Sequence, residues 1–266
     1  MTPTPPVPRP TPETGHQTTS AVEFDRIFSS EADVNAFNDV VRQVDPALPD
    51  GIEPFSFLCS HLLEHVLNHL DLHPHQLLAD LGCGRGGPGL WLVRRTNAAL
   101  IGIDFSAVAL KHARARAADQ TAAAQFLFAD FADLPLDDQS VDRAVSLDAL
   151  QYADDRIAAA RQAHRILRPA GRLVLTGWHP RTPGDQRLPS RHRHTDWPHV
   201  LHAAGFTAIT CHNDPVWDTA YQAIYRTALA MNTDANPGLA SLQGEARRRL
   251  ATAHLLRRVA VTATRS

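Results

Sequence analysis

The chain has 266 residues, a formal net charge of −2 and 44% hydrophobic residues. That length suits one large domain with insertions, and so even a charge balance excludes a surface built for nucleic acid or anionic membrane. The cysteines Cys59, Cys83 and Cys211 lie too far apart for metal-ligand spacing, no apolar run nears the roughly 20 residues that span a bilayer, and the N-terminus lacks a signal-peptide core. Free thiols in a cytoplasmic protein, with no metal site, are therefore expected.

Residues 1–20, MTPTPPVPRPTPETGHQTTS, are rich in proline and threonine and predict a disordered or extended leader. From 21 to 72 the pattern is helical. Val34, Phe37, Val40, Val41 and Val44 recur on one face, as do Phe57, Leu58, His61, Leu62, His65, Val66 and His69. Asp45-Pro46 and Leu48-Pro49-Asp50-Gly51 break these stretches. This part reads as an N-terminal helical lid segment.

From residue 73 strands and helices alternate. Strands are predicted over 77–81, 99–103, 124–129, 143–147, 172–176, 206–210 and 256–264. Helices are predicted over 87–95, 107–118, 154–167 and 195–204, with two more, 216–231 and 238–253, before the last strand. Ser106 is a candidate N-cap, and Arg168-Pro169-Ala170-Gly171 ends a helix. The fold class is α/β: a mostly parallel, doubly wound sheet, with a helical insertion at about 213–254 placed to cover the site.

The most informative stretch is LLADLGCGRGGPG, residues 77–89. An apolar run enters a glycine turn at Gly82, Gly84 and Gly86, and a helix follows: the first unit of a nucleotide-binding sheet. Asp80, two residues before the first glycine, narrows the ligand. A carboxylate there repels a dinucleotide's diphosphate but attracts the sulfonium and ammonium of S-adenosylmethionine; alternatively, Asp80 simply caps the turn. Asp104 closes the second strand, where an acid can accept hydrogen bonds from both ribose hydroxyls. A NAD site uses the same position, so Asp104 alone does not discriminate. Asp130 follows the third strand and could meet an adenine amino group, with the N–H of Phe131 on a ring nitrogen. Arg85 either braces the loop or meets the cofactor carboxylate.

DLGCGRG, GIDFS, ADFADLPLDDQSVDRAVS and LRPAGRLVL, in that order from Leu77 to Trp178, resemble the successive motifs of class I S-adenosylmethionine-dependent methyltransferases, in particular the small-molecule and natural-product enzymes. The resemblance implies a Rossmann-like seven-stranded sheet with a reversed last strand. It implies that Gly82, Gly84 and Gly86 line the methionine end, that Asp104 takes the ribose and that Asp130 takes the adenine. The candidate cofactor set is completed by Asp80, Phe105, Phe131 and Leu147.

Methyl transfer needs alignment and exclusion of water more than it needs a base. Some enzymes of this fold place a histidine base after the fourth strand; here Gln151 and Tyr152 stand there. Tyr152, to orient the substrate, and His179, as a base after the fifth strand, are the candidate catalytic residues. Trp217, Tyr221, Ile224 and Tyr225, with Phe55 and Phe57, form an aromatic stripe that either packs a core or roofs a hydrophobic acceptor. Arg187, Arg191 and Arg193 in the basic segment 181–193 either face solvent or receive a carboxylate or phosphate. The expected activity is methylation of a small, partly apolar metabolite, with oxygen favoured over carbon or nitrogen as acceptor. The alternative is a same-fold enzyme that keeps the cofactor but catalyses another reaction, such as a cyclisation. Expected partners are a small-molecule substrate and a homodimer mate, with no nucleic acid and no membrane.

Overall fold

The computed structural model describes residues 19–53, 56–120, 122–234, 236 and 238–266. The leader over 1–18, and Phe55 of the aromatic stripe, lie outside these described residues. A seven-stranded sheet forms the centre: β1 (Leu77–Leu81), β2 (Ala99–Asp104), β3 (Ala124–Phe128), β4 (Val141–Leu147), β5 (Leu167–Pro180), β6 (Phe206–His212) and β7 (Leu256–Arg265). Their order is β3-β2-β1-β4-β5-β7-β6. The first five run parallel, and β7 lies antiparallel between β5 and β6.

Ten helices frame the sheet among the described residues: α1 (Thr19–Ser29), α2 (Glu31–Val44), α3 (Ser60–Leu70), α4 (Gly87–Thr96), α5 (Ala107–Asp119), α6 (Arg156–Ile166), α7 (Ser190–Arg193), α8 (Trp197–Ala203), α9 (Pro215–Ala230) and α10 (Leu239–Ala253). Every residue of β1 and β2 is buried, as continuous apolar strands covered on both faces must be. Alternation assigns the faces. Leu78, Leu100, Val145 and Val174 point into one core with α3, α4, α5, α9 and α10. Ala79, Ile101, Ala144 and Leu175 point into the other with α6 and α8. Among the described residues no helix is long and apolar enough to cross a membrane.

Local chemistry explains several boundaries. Ser30, Ser106, Asp155, Asp196 and Asp214 cap their helices through side-chain oxygens. Asp45, read from sequence as a break, also accepts from the backbone N–H and hydroxyl of Ser60, so the end of α2 holds the start of α3. β5 is much longer than the 172–176 expected. Leu167 already pairs with Val141 before a register shift at the Pro169-Ala170-Gly171 turn, and at the far end Trp178, His179 and Pro180 pair with β7. The basic segment, expected as a loop, contains the single turn α7.

The N-terminal helices are fastened over the glycine turn. Phe24 of α1 meets Phe105 and Tyr152 edge to face at 5.7 and 5.0 Å between ring centres. A Cβ on Gly87 would lie 1.5 Å from the carbonyl oxygen of Ile52, so the segment after α2 rests directly on the start of α4. Gly87→Ala should therefore cost about 2 kcal/mol in urea unfolding with an unchanged slope. Wild-type stability would show that this backbone approach is dispensable.

Candidate active site

The carboxyl ends of the strands open into a cavity of ≈ 360 Å³ that runs from the glycine turn to α9 and α10. Asp80, Gly82, Gly84, Asp104, Phe105, Phe131, Leu147 and Tyr152 line it, which brings together most of the candidate residues. Gly82 is required twice over: φ is +81°, and a Cβ would lie 2.2 Å from that of Ala149. Gly86, at the N-cap of α4, shapes the turn without lining the cavity.

Asp104 is held from two sides. The N–H of Gly84 donates to Oδ2 at 2.8 Å and that of Ser106 to Oδ1 at 2.9 Å. The strand-ending acid is thereby fixed to the turn it faces. Burial nevertheless raises its pKa to about 6, against those hydrogen bonds and with help from Asp25. Asp80 is raised to about 7, by burial first and by Asp104 second. Among the described residues neither carboxyl has an ion-pair partner. Arg85 does not provide one: it pairs with Glu31 at 2.7 Å and bonds to His112 at 2.8 Å, so it braces α2 against α5. Two buried acids without a cation make a recess fitted to a positively charged guest. Cys83 sits in the same turn, but burial lifts its thiol well above the ordinary value, so it is no thiolate nucleophile.

Besides Gly86, Asp130 and His179 fall outside the cavity lining. Asp130 is exposed, and its Oδ1 accepts from the N–H of Ala132 at 2.8 Å, closing its own turn. His179 is buried, and its Nε2 accepts from the N–H of Trp197 at 3.0 Å. Burial, with Arg257 adding to it, lowers its pKa to about 4. A base needs a free lone pair facing the reactants, and this ring spends its own on capping α8.

The far wall is aromatic. The ring of Phe57 meets Tyr221 at 4.8 Å, Tyr225 at 5.0 Å and Trp178 at 6.4 Å, and Trp178 meets Tyr221 at 4.3 Å. All four line the cavity. Trp217 and Ile224 of the same stripe do not; Trp217 turns into the core and donates from Nε1 to His61 Nδ1 at 2.9 Å.

Several lining residues carried no usable sequence signal. Asp148, with φ +58°, accepts from Thr176 Oγ1 at 2.8 Å and from Arg258 Nη2 at 2.6 Å. Arg258 is wholly buried and stacks over Trp178 at 4.9 Å. Phe24 and Phe28 arrive from α1, and Glu245, Arg248 and Arg249 from α10. Among the described residues no group of histidine, cysteine and acid side chains could hold a metal ion.

The raised carboxyls make a thermodynamic prediction. A carboxyl held above its unfolded value supports the folded state most when protonated, so its contribution is complete at low pH and is withdrawn as pH rises toward about 7 for Asp80. The stability of Asp80→Asn relative to wild type should therefore improve between pH 5 and pH 8, by about 2 kcal/mol. A difference independent of pH would contradict the buried, uncompensated charge.

A family described as "Methyltransferase domain" matches residues 79–175, which run from within β1 to within β5. The chain is 33% identical over 129 residues to the methyltransferase GfsG of Streptomyces halstedii, covering 48% of this chain and 46% of that one. It is 32% identical over 155 residues to the O-methyltransferase rstn1 of Aspergillus nomiae, covering 57% of this chain and 68% of that one. It thus spans about half the length of the first of these relatives. Among solved structures, the [4+2]-cyclase SpnF superposes with a TM-score of 0.70 over 92% of this chain and 94% of that one, at 20% identity, a likeness of fold. With the sheet order, the glycine turn and the strand-ending acid in place, the chain belongs to the class I S-adenosylmethionine-dependent methyltransferases.

Proposed function

We propose that this protein transfers a methyl group from S-adenosylmethionine to a small, partly apolar metabolite, with a hydroxyl as the favoured acceptor. The observation that carries this reading is the continuity of the cavity, which joins a recess lined by two uncompensated carboxylates to an aromatic wall. The relative named as an O-methyltransferase supports the choice of oxygen.

When bound, the cofactor supplies an electrophilic methyl group on a sulfonium. Asp104 is positioned to accept from the ribose hydroxyls, each carboxylate oxygen keeping a lone pair beyond its backbone hydrogen bond. Main-chain groups at Gly82 and Gly84 would hold the methionine portion, and Asp80 would supply negative charge to it. Phe105, Phe131 and Leu147 would border the adenosine, with the Phe131 N–H available to the ring, and Asp130, whose Oδ1 closes its own turn, would offer Oδ2 to the adenine amino group.

On the acceptor side Phe57, Trp178, Tyr221 and Tyr225 exclude water and hold an apolar body. Tyr152 is kept neutral by burial, its phenol raised above the usual value, and suits it to orient the substrate. Glu245, which accepts from Tyr225 at 3.1 Å, is the carboxylate on this wall suited to receive a hydroxyl proton, in place of the occluded His179. Asp148 is less suited to that part because Arg258 and Thr176 already occupy its oxygens.

The test is incubation of the protein with methyl-labelled S-adenosylmethionine and a panel of hydroxylated, partly apolar metabolites. Label should appear in a product, with stoichiometric S-adenosylhomocysteine. Cofactor binding with substrate conversion but no label transfer would replace this reading with a rearrangement such as cyclisation.

A further inference from the structure

The mouth of the cavity carries more positive charge than the fold accounts for. Arg191 of α7 and Arg248 and Arg249 of α10 line it together. Arg191 leans over the ring of Tyr152 at 5.3 Å and donates from Nε to His192 Nε2 at 3.0 Å, and among the described residues its two terminal nitrogens meet no acid. Arg248 has no ion pair or hydrogen bond among the described residues. Arg249 stands 3.9 Å from Glu245, and that carboxylate also accepts from Tyr225.

A fourth cation backs this group. Arg156 donates to the carbonyls of Gln151 and Arg191 and to Thr195 Oγ1, and pairs with no carboxylate among the described residues. Its pKa is lowered by burial and then by Arg191. His192, buried between these groups, is lowered to about 3 by burial and by Arg191, Arg249 and Arg156. Arg156, Arg191 and Arg249 thus act on the same small volume. Of the other basic residues in this segment, Arg187 is satisfied by Asp185, and Arg193 by the carbonyls of Leu188 and Gln186. Arg181 pairs with Asp218, so within this segment Arg191 is the arginine turned to the cavity. Crowding like charges in a cleft raises the free energy of the empty site, and an anion seated among them relieves it.

We propose that the methyl acceptor is an amphipathic metabolite with an anionic group, a carboxylate or phosphate, held by Arg191, Arg248 and Arg249 while its apolar body lies against Phe57, Trp178 and Tyr221. The inference rests on the methyltransferase reading of the cavity and adds the substrate's charge to it. Guanidinium forks match both anions geometrically. The anion sits at the mouth, so the apolar portion points inward, toward the recess of Asp80 and Asp104. Selection against neutral analogues follows, because they leave the arginines unpaired.

The experiment uses the full chain saturated with S-adenosylhomocysteine and reads tryptophan fluorescence and calorimetry. The probes are octanoate, octyl phosphate and octanol. The two anions should bind at least about tenfold more tightly than octanol, and added salt should erode the advantage. Comparison of octanoate with octyl phosphate separates the two anionic classes. Arg248→Gln with Arg249→Gln should remove the preference while the affinities for octanol and S-adenosylhomocysteine persist, which also shows that the variant is folded. Equal binding of the three probes, no binding of the anions at millimolar concentration, or an unaltered preference in the double variant overturns the proposal. Failure of the wild-type chain to bind S-adenosylhomocysteine would instead overturn the methyltransferase reading beneath it.

Discussion

Two carboxyl groups, Asp80 and Asp104, are taken out of water beside the same glycine turn without a cationic side chain to meet them. Burying unpaired acids costs several kcal/mol each if they stay ionised, and the fold limits that cost by raising both pKa values toward neutrality. Much of the surrounding structure serves to keep them there. Backbone N–H groups of Gly84 and Ser106 aim Asp104 at the turn. Gly89 leaves room for Asp80, since a Cβ there would fall 2.4 Å from its Oδ2. Arg85, the nearest basic residue in sequence, is diverted to Glu31. The charge is thus left for a ligand to complete.

The remainder of the cavity is assembled from distant parts of the chain. α1 brings Phe24 and Phe28 over the glycine turn, α9 and α10 bring the aromatic and arginine walls, and the antiparallel β7 ties these to the sheet. The Asp148–Arg258 pair at 2.6 Å is the clearest link, joining the end of β4 to β7 beneath Trp178. A fully buried pair of this kind fixes a register more than it adds stability. Here it holds the floor of the acceptor region to the strand that follows α10.

The sheet was legible because buried parallel strands are short apolar runs bounded by turn residues, and β1 and β2 match their expected spans within one residue. The glycine turn and Asp104 were legible because their spacing follows from strand–turn–helix geometry. What failed depended on long-range pairing. The extension of β5 beyond residue 176 is set by β7, which lies some eighty residues later, and nothing near Trp178 announces it. His179 read as a base from its place after a strand, yet the same extension of β5 carries it under α8, where the Trp197 N–H takes its lone pair. Asp130, read as an adenine ligand, is a different case: its Oδ1 closes a local Asx turn with Ala132, and Oδ2 takes no part in that turn. Of the three arginines singled out in the basic segment only Arg191 reaches the cavity, and its companions Arg248 and Arg249 come from α10, some fifty residues later.

The account stands on the strand-ending acid gripping the cofactor's sugar, and titration calorimetry with S-adenosylmethionine on Asp104→Ala tests it most directly. Loss of two charge-assisted hydrogen bonds should weaken binding by about 3 kcal/mol, more than a hundredfold, while far-UV dichroism and cooperative melting persist. Wild-type affinity in a folded Asp104→Ala protein would contradict it.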